Sequence, residues 1–295
     1  MGRNNHKRNN DMATDNQQNN DQEQVNNKPK KLVIVTGDKG GVGKSTFARG
    51  LLQLYIDKNL WCLGYDADQR NNQLYRHYNR YPGLVRFLDV FERGKTDKLL
   101  NDLEADYYPL VLIDMPAQSG GVFEKFVKEL SVFDMLASEL DYRVTMVSVI
   151  NRLRDSVNIL NALYERCSQD KVDYVVVKNL FFGDEDKFGR YNNSSIRKTL
   201  LEKGLIELSM PDLMDDSYDF IDYNNLTFKQ ATLKEVGAQI ATRARVKSWL
   251  DDFKQKIQPA HDLLGFNCER LPDGASHVIK DEPDVQDKEQ VSDAA

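Results

Sequence analysis

The amino-acid sequence predicts an α/β fold, a doubly wound and mostly parallel sheet with helices on both faces. Three observations carry this. Short β-branched runs alternate with longer segments of 3.6-residue period. The runs are continuously apolar, as strands buried on both faces require, and a glycine-rich turn joins the first run to the first helical segment. A length of 295 residues suits one large α/β domain or two small ones.

Residues 1–30 hold nine Asn and four Gln, no aromatic residue, and Val25 as the one branched aliphatic. That is too little apolar surface to offset the entropy of ordering, so a disordered tail is expected there. Leu32 to Val35 reads as a buried strand, and Lys44 to Lys58 as a helix with Phe47, Leu51 and Leu54 on one face. Leu60 to Tyr65 is the second strand. The stretch from Arg70 to Asp106, rich in Tyr, Arg and Asn, is expected to form short helices. Leu110 to Ile113 and Val132 to Ala137 read as the third and fourth strands, and Val144 to Ile150 as the next. A helix over Arg152 to Cys167, a strand over Val172 to Val177 and a short strand before Pro211 follow. Leu233, Val236, Ile240, Trp249, Leu250, Phe253 and Ile257 fall near helical spacing, which predicts a helix from Thr232 to Ile257. From Lys280 onward there are six acidic residues, two lysines and no aromatic. The expected organisation is a tail over 1–30, a folded domain over 31–257, and a mostly disordered acidic tail over 258–295.

Composition narrows the function classes. Apolar residues make up 40% and charged residues 29%, ordinary for a soluble globular protein. The formal net charge of -6 argues against wholesale coating of nucleic acid and leaves a local basic patch open. No apolar stretch approaches the roughly 18–20 residues that span a bilayer, and no secretory leader opens the chain. His6 stands where a myristoylation motif beginning at Met1-Gly2 wants Ser or Thr. Cys62, Cys167 and Cys268 are far apart and form no CxxC, so a disulfide framework or metal clip is disfavoured and a cytoplasmic location is expected.

The most informative residues are Gly37-Asp38-Lys39-Gly40-Gly41-Val42-Gly43-Lys44-Ser45-Thr46, between the first strand and the first helix. Glycines let the backbone curl until several N–H groups point at one anion, and the helix adds its positive N-terminal end. In such a phosphate loop Lys44 reaches the β- and γ-phosphates and the Ser45 hydroxyl ligates Mg²⁺. The common consensus fails at one point, because its first glycine falls on Asp38. The second strand runs into Tyr65-Asp66-Ala67-Asp68-Gln69 and the third into Asp114-Met115-Pro116-Ala117. Carboxylates at these strand ends converge on the crevice where a doubly wound sheet binds ligand. Capping a following helix is the ordinary alternative for Asp66 or Asp68.

The run Lys39-Gly40-Gly41-Val42-Gly43-Lys44-Ser45 resembles the deviant phosphate loop of the ParA/MinD superfamily of P-loop ATPases. The two Asp-containing segments are similar to that family's switch and Walker B motifs, although no Pro separates Asp68 from Gln69. The resemblance covers roughly Lys31 to Ile257 and implies ATP and Mg²⁺ as cofactors. It implies an ATP-dependent homodimer in which Lys39 reaches the partner's phosphates. Asp68 would position the attacking water, and Asp66 and Asp114 would hold Mg²⁺ together with Ser45. Val175 to Asn179 resembles the strand ending in an adenine-reading Asn, and Met210-Pro211 the strand end lining the base pocket; a turn role for Asn179 stays open.

In this superfamily nucleotide state changes affinity for a surface or partner. The acidic, apolar-poor C-terminus does not resemble the membrane-inserting helix of MinD-like proteins, so no membrane insertion is expected. Arg243, Arg245 and Lys247 lie where ParA-type proteins bind DNA without sequence preference, and would give nucleoid association; a solvated helix face is the ordinary reading of such charges. Cysteine pairs of the metal-cluster members and the C-terminal tyrosine cluster of the kinases are missing, the last tyrosine being Tyr223. The implied function is a slow ATPase that partitions or positions plasmid or chromosomal DNA or another cargo, with a small adaptor or activating protein. Two alternatives stand beside it: an accessory ATPase of conjugative DNA transfer, and a nucleotide-switched protein-binding module with negligible turnover.

Overall fold

The computed structural model describes residues 28–37, 39–92, 94–129, 131–167 and 172–280. Among them seven strands form one sheet: β1 Lys30–Thr36, β2 Cys62–Asp66, β3 Val85–Phe87, β4 Leu110–Asp114, β5 Tyr142–Ile150, β6 Val172–Asn179 and β7 Ile206–Met210. The helices are α1 Lys44–Asp57, α2 Gln73–Tyr78, α3 Asp97–Ala105, α4 Gly120–Glu129, α5 Val132–Ser138, α6 Arg154–Cys167, α7 Gly189–Asn192, α8 Ser195–Glu202, α9 Asp215–Tyr223 and α10 Ile240–Lys256. The sheet order is β3-β2-β4-β1-β5-β6-β7, and every adjacent pair is parallel. This is the predicted doubly wound fold.

Two cores follow from the two-residue period of a strand. Val33 and Val35 of β1, with Leu112, Val147 and Val175, face one side and pack on α1, α9 and α10. Leu32 and Ile34, with Val111, Ile113, Met146 and Val176, face the other side and pack on α3 and α5 to α8. Helix α1 is therefore wrapped on two sides, by the sheet and by α10. Phe253 of α10 meets Phe47 edge-on at 5.4 Å and stacks on Trp249, which in turn stacks on Phe228.

Three expectations are corrected. Val132 to Ala137 forms α5, not a strand: β1 pairs directly with β4 and β5, which leaves no slot between them, and Val132, Phe133 and Leu136 bury one helical face. The expected helix from Thr232 starts at Ile240, because residues 233–239 run irregularly through Gly237 at φ +76°. The region from Arg70 to Asp106 contains β3 as well as the helices α2 and α3.

The fold also continues past Ile257, into residues expected to belong to the acidic tail. Ala260, Leu264 and Cys268 are buried in the α1-side core. The Tyr55 hydroxyl donates to the Leu264 carbonyl at 2.6 Å, and Thr145 Oγ1 donates to that of Leu263 at 2.6 Å. Trp61 N–H donates to Glu269 O and Leu271 N–H to Asn59 O, both at 2.9 Å. Gly265, at φ +81°, lies so close to Leu110 that a side chain there would overlap it. The sequence lacks a periodic signal here because the segment is held by backbone carbonyls and scattered apolar residues.

Candidate functional site

The C-terminal ends of β1, β2 and β4 converge, as parallel strands in one register must. Asp66 and Asp114 are register partners on β2 and β4, and both are buried. Residues 39–43 connect β1 to α1 beside them, with Gly41 at φ +75° and Gly43 at φ +97°. Only glycine adopts such a conformation without strain. A Cβ on Gly43 would also overlap the Asn179 side-chain amide and come within 2.9 Å of Met210 Cε.

A cavity of about 360 Å³ opens there. Gly40, Gly41, Gly43, Lys44, Ser45, Thr46, Asp68, Asn179 and Pro211 line it, so residues predicted from four separate segments share one site. Val42 is buried beneath the loop, and its carbonyl accepts from Asn179 Nδ2 at 2.9 Å. Asn179 Oδ1 accepts from Phe181 N–H at 3.1 Å, so the residue read as base-contacting also builds the turn after β6. Lys44 is buried, and its Nζ donates to the Lys39 carbonyl at 3.1 Å. Lys39 instead points outward, pairing with Asp155 of α6 at 3.4 Å. Asp38 lies outside the described residues.

The carboxylates differ. Asp66 accepts backbone N–H groups from Asp68 at 3.0 Å and Tyr75 at 2.8 Å. Burial nevertheless raises its pKa to about 7, and that of Asp114 to about 8, where the charge of Asp66 adds to burial. Both Asp114 oxygens are buried and make no well-formed hydrogen bond among the described residues, although the Ser45 hydroxyl and the Lys44 charge lie close enough to pull its pKa down. A buried carboxylate left so is costly unless a cation completes it. Asp66, Asp114 and Ser45 are hard oxygen donors of the kind Mg²⁺ takes, so the residues present fit that ion. Asp68 is half-buried and accepts from Asn71 N–H at 3.3 Å and Asn71 Nδ2 at 3.2 Å.

Sequence reading missed the other wall. Asn71, Gln73, Phe181, Asp212, Leu213, Asp215 and Tyr218 line the cavity, with Trp249 of α10 donating its Nε1–H to Pro211 O at 2.8 Å. No local motif marks these residues; they reach the site through the packing of α2, α9 and α10 and the segments after β6 and β7. The basic cluster on α10 is not one patch. At roughly 100° per residue Arg245 faces away from Arg243 and Lys247, and Arg243 Nη1 donates to Ala238 O at 2.8 Å. Arg245 and Lys247 are exposed. No described helix is long and apolar enough to cross a membrane.

A curated relative, Protein MobD of Acidithiobacillus ferrooxidans, is 26% identical over 229 residues, covering 78% of this chain and 97% of that one. Among solved structures, the MinD cell division protein of Aquifex aeolicus aligns at 18% identity and a TM-score of 0.42, over 74% of this chain and 97% of its own. A plasmid partition protein from Borrelia burgdorferi aligns at 15% identity and a TM-score of 0.39, over 70% and 100%. The family model described as the CobQ/CobB/MinD/ParA nucleotide binding domain matches residues 33–265. Most of the chain, the phosphate loop and both aspartate-bearing strand ends included, falls within that match, and the protein belongs to the CobQ/CobB/MinD/ParA family of nucleotide-binding domains.

Proposed function

We propose that the chain is a Mg²⁺-dependent, ParA-like ATPase whose ATP-dependent dimerisation positions DNA or another cargo. The observation that carries this reading is the Asp114 carboxylate, buried beside Asp66, Ser45 and Lys44 with neither oxygen in a well-formed hydrogen bond among the described residues. Phosphoryl transfer depends on positioning and charge neutralisation more than on covalent help from the protein. The loop N–H groups and Lys44 would hold the phosphates; Ser45, Asp66 and Asp114 would hold Mg²⁺, which supplies charge neutralisation when bound. Asp68, beside the cavity and not buried under it, would orient the attacking water. Lys39 would leave Asp155 to serve the partner's site. Asn179 and Pro211 would border the base.

Nonspecific DNA contact would fall to Arg245 and Lys247 as separate charges on two sides of α10. The likeness to Protein MobD, which spans nearly all of that protein, favours a second reading: an accessory ATPase of DNA mobilisation. Steady-state ATP hydrolysis with and without Mg²⁺, together with DNA binding in ATP, ADP and no nucleotide, tests the proposal. Turnover with ATP-dependent DNA binding is expected. Turnover without DNA binding transfers the chain to the second reading, and absence of nucleotide binding overturns both.

A further inference from the structure

Helix α9 approaches the phosphate loop through one side chain. The oxygen of Tyr218 accepts from Thr46 Oγ1 at 3.3 Å and from Arg49 Nη1 at 3.4 Å, and its proton goes to Gln73 Oε1 at 3.4 Å. The guanidinium can only donate, so the tyrosine oxygen accepts from Arg49, and its one proton is free for Gln73 while Thr46 donates. Thr46, Gln73 and Tyr218 all line the cavity. Arg49 does not, being fully buried in α1.

Arg49 explains why this contact is more than packing. Among the described residues no carboxylate lies within ion-pair distance of it, and its Nε has no hydrogen-bond partner. Its guanidinium sits 5.0 Å from the Phe228 ring centroid and 5.6 Å from that of Tyr218. Burying a permanent charge without a counter-ion is costly, and cation–π contacts offset only part of that cost. Its directional effect is to keep the Tyr218 oxygen an acceptor toward α1, with the hydroxyl hydrogen on Gln73 Oε1.

Gln73 opens α2, and the backbone around it holds the two aspartates. Tyr75 N–H donates to Asp66 Oδ2 at 2.8 Å, and Asn72 N–H donates to the Asp68 carbonyl at 2.6 Å. Arg76 of the same helix pairs with Asp222 of α9 and His77 bonds the Leu226 carbonyl just beyond it, so α2 is fastened to α9 and to the turn that follows. A route of direct contacts thus runs from Thr46 in the phosphate loop, through Tyr218 and Gln73, to the segment carrying Asp66 and Asp68.

We infer that Tyr218 is a positioning residue that sets the Asp66–Asp68 segment relative to the phosphate loop, and so the Mg²⁺ requirement of the site. The inference rests on the nucleotide reading proposed above. It is tested in the full chain with Tyr218→Phe, which keeps the ring and the cation–π contact and removes the hydroxyl. ADP affinity without Mg²⁺ is expected to stay within about threefold of the parent, while the gain in ADP affinity on adding Mg²⁺ falls roughly tenfold. The maximal ATPase rate should fall by a similar factor with KM for ATP little changed.

Gln73→Leu should reproduce the effect, and the double variant should be no worse than either single one, since both break the same link. An unchanged Mg²⁺ effect in Tyr218→Phe, or additive losses in the double variant, overturns the inference. A parent that binds no nucleotide overturns the underlying reading instead. A parent that binds Mg²⁺ and ADP but does not hydrolyse ATP still reports the coupling through affinity.

Discussion

Gly43→Ala probes whether the phosphate loop and the end of β6 are built as one piece. Two costs add. A side chain at φ +97° and ψ 19° is in the left-handed region, worth about 1–2 kcal/mol for an L-residue. The new Cβ would also expel the Asn179 amide, which donates to the Val42 carbonyl at 2.9 Å. Leaving that buried acceptor unmet costs about 1–3 kcal/mol. The sum is about 2–5 kcal/mol, read as a lower urea midpoint at unchanged m-value. Nucleotide affinity should fall with it, because Gly43 and Asn179 both line the cavity. Asn179→Ala alone should lose only the hydrogen bond. The double variant should destabilise by about 1–3 kcal/mol less than the two single losses summed, since the overlap no longer exists and the bond can be lost only once. A Gly43→Ala protein with parental midpoint and affinity, or strict additivity in the cycle, refutes the reasoning.

Other outcomes follow from the same geometry. Lys44→Ala should weaken ATP affinity by roughly 10- to 100-fold, the worth of a charge-assisted hydrogen bond, measured by calorimetry on a variant with parental melting. Asp68→Asn should bind Mg²⁺ and ADP normally and lose at least about 100-fold in steady-state turnover, and a parental rate would show that another group orients the water. Asp66 and Asp114, raised to about 7 and about 8, hold protons in the fold that they release when unfolded. Without metal, stability should therefore fall as pH rises from about 4 to about 8 and level off above; Mg²⁺ should raise the melting temperature more at about pH 8 than at about pH 6, and Asp114→Asn should flatten both effects. Ending the chain at Ile257 should cost several kcal/mol in chemical unfolding, because Ala260, Leu264 and Cys268 leave the core, whereas ending it at Lys280 should keep all of these contacts.

How much was legible depends on whether a signal is local. The glycine loop, the aspartates after β2 and β4, and all the strands buried on both faces write themselves into short runs, because a parallel strand needs continuous apolar residues and a phosphate loop needs glycine at fixed spacing. The apolar run at Val132 shows the limit. Six residues have no room to distinguish period 2 from period 3.6, and the competition for a place beside β1 decided the outcome. Residues 258–280 were unreadable for a related reason: Leu263 and Leu264 contribute carbonyls as well as side chains, and carbonyls carry no sequence signature. Tyr218 and Trp249 reach the cavity from helices whose placement is set by tertiary packing, and Asp212 from the irregular segment after β7, so no motif could name them. Arg243, Arg245 and Lys247 are adjacent in sequence and divided by the helical period.

The two lysines of the loop sit in environments that suit the two roles proposed for them. Lys44 is 7% exposed, at the first position of a helix wrapped on two sides. Moving it would disturb α1 and with it Phe47, Phe253 and Trp249. Lys39 sits five residues earlier, off the helix, in an ion pair whose side chains are 37% and 67% exposed. Such a pair contributes at most about 1 kcal/mol and weakens with salt. A charge that must stay with its own phosphates belongs in the first environment, and a charge that must reach another molecule belongs in the second. The sequence places both lysines within one glycine-rich turn; the packing of α1 against α10 fixes one and leaves the other movable.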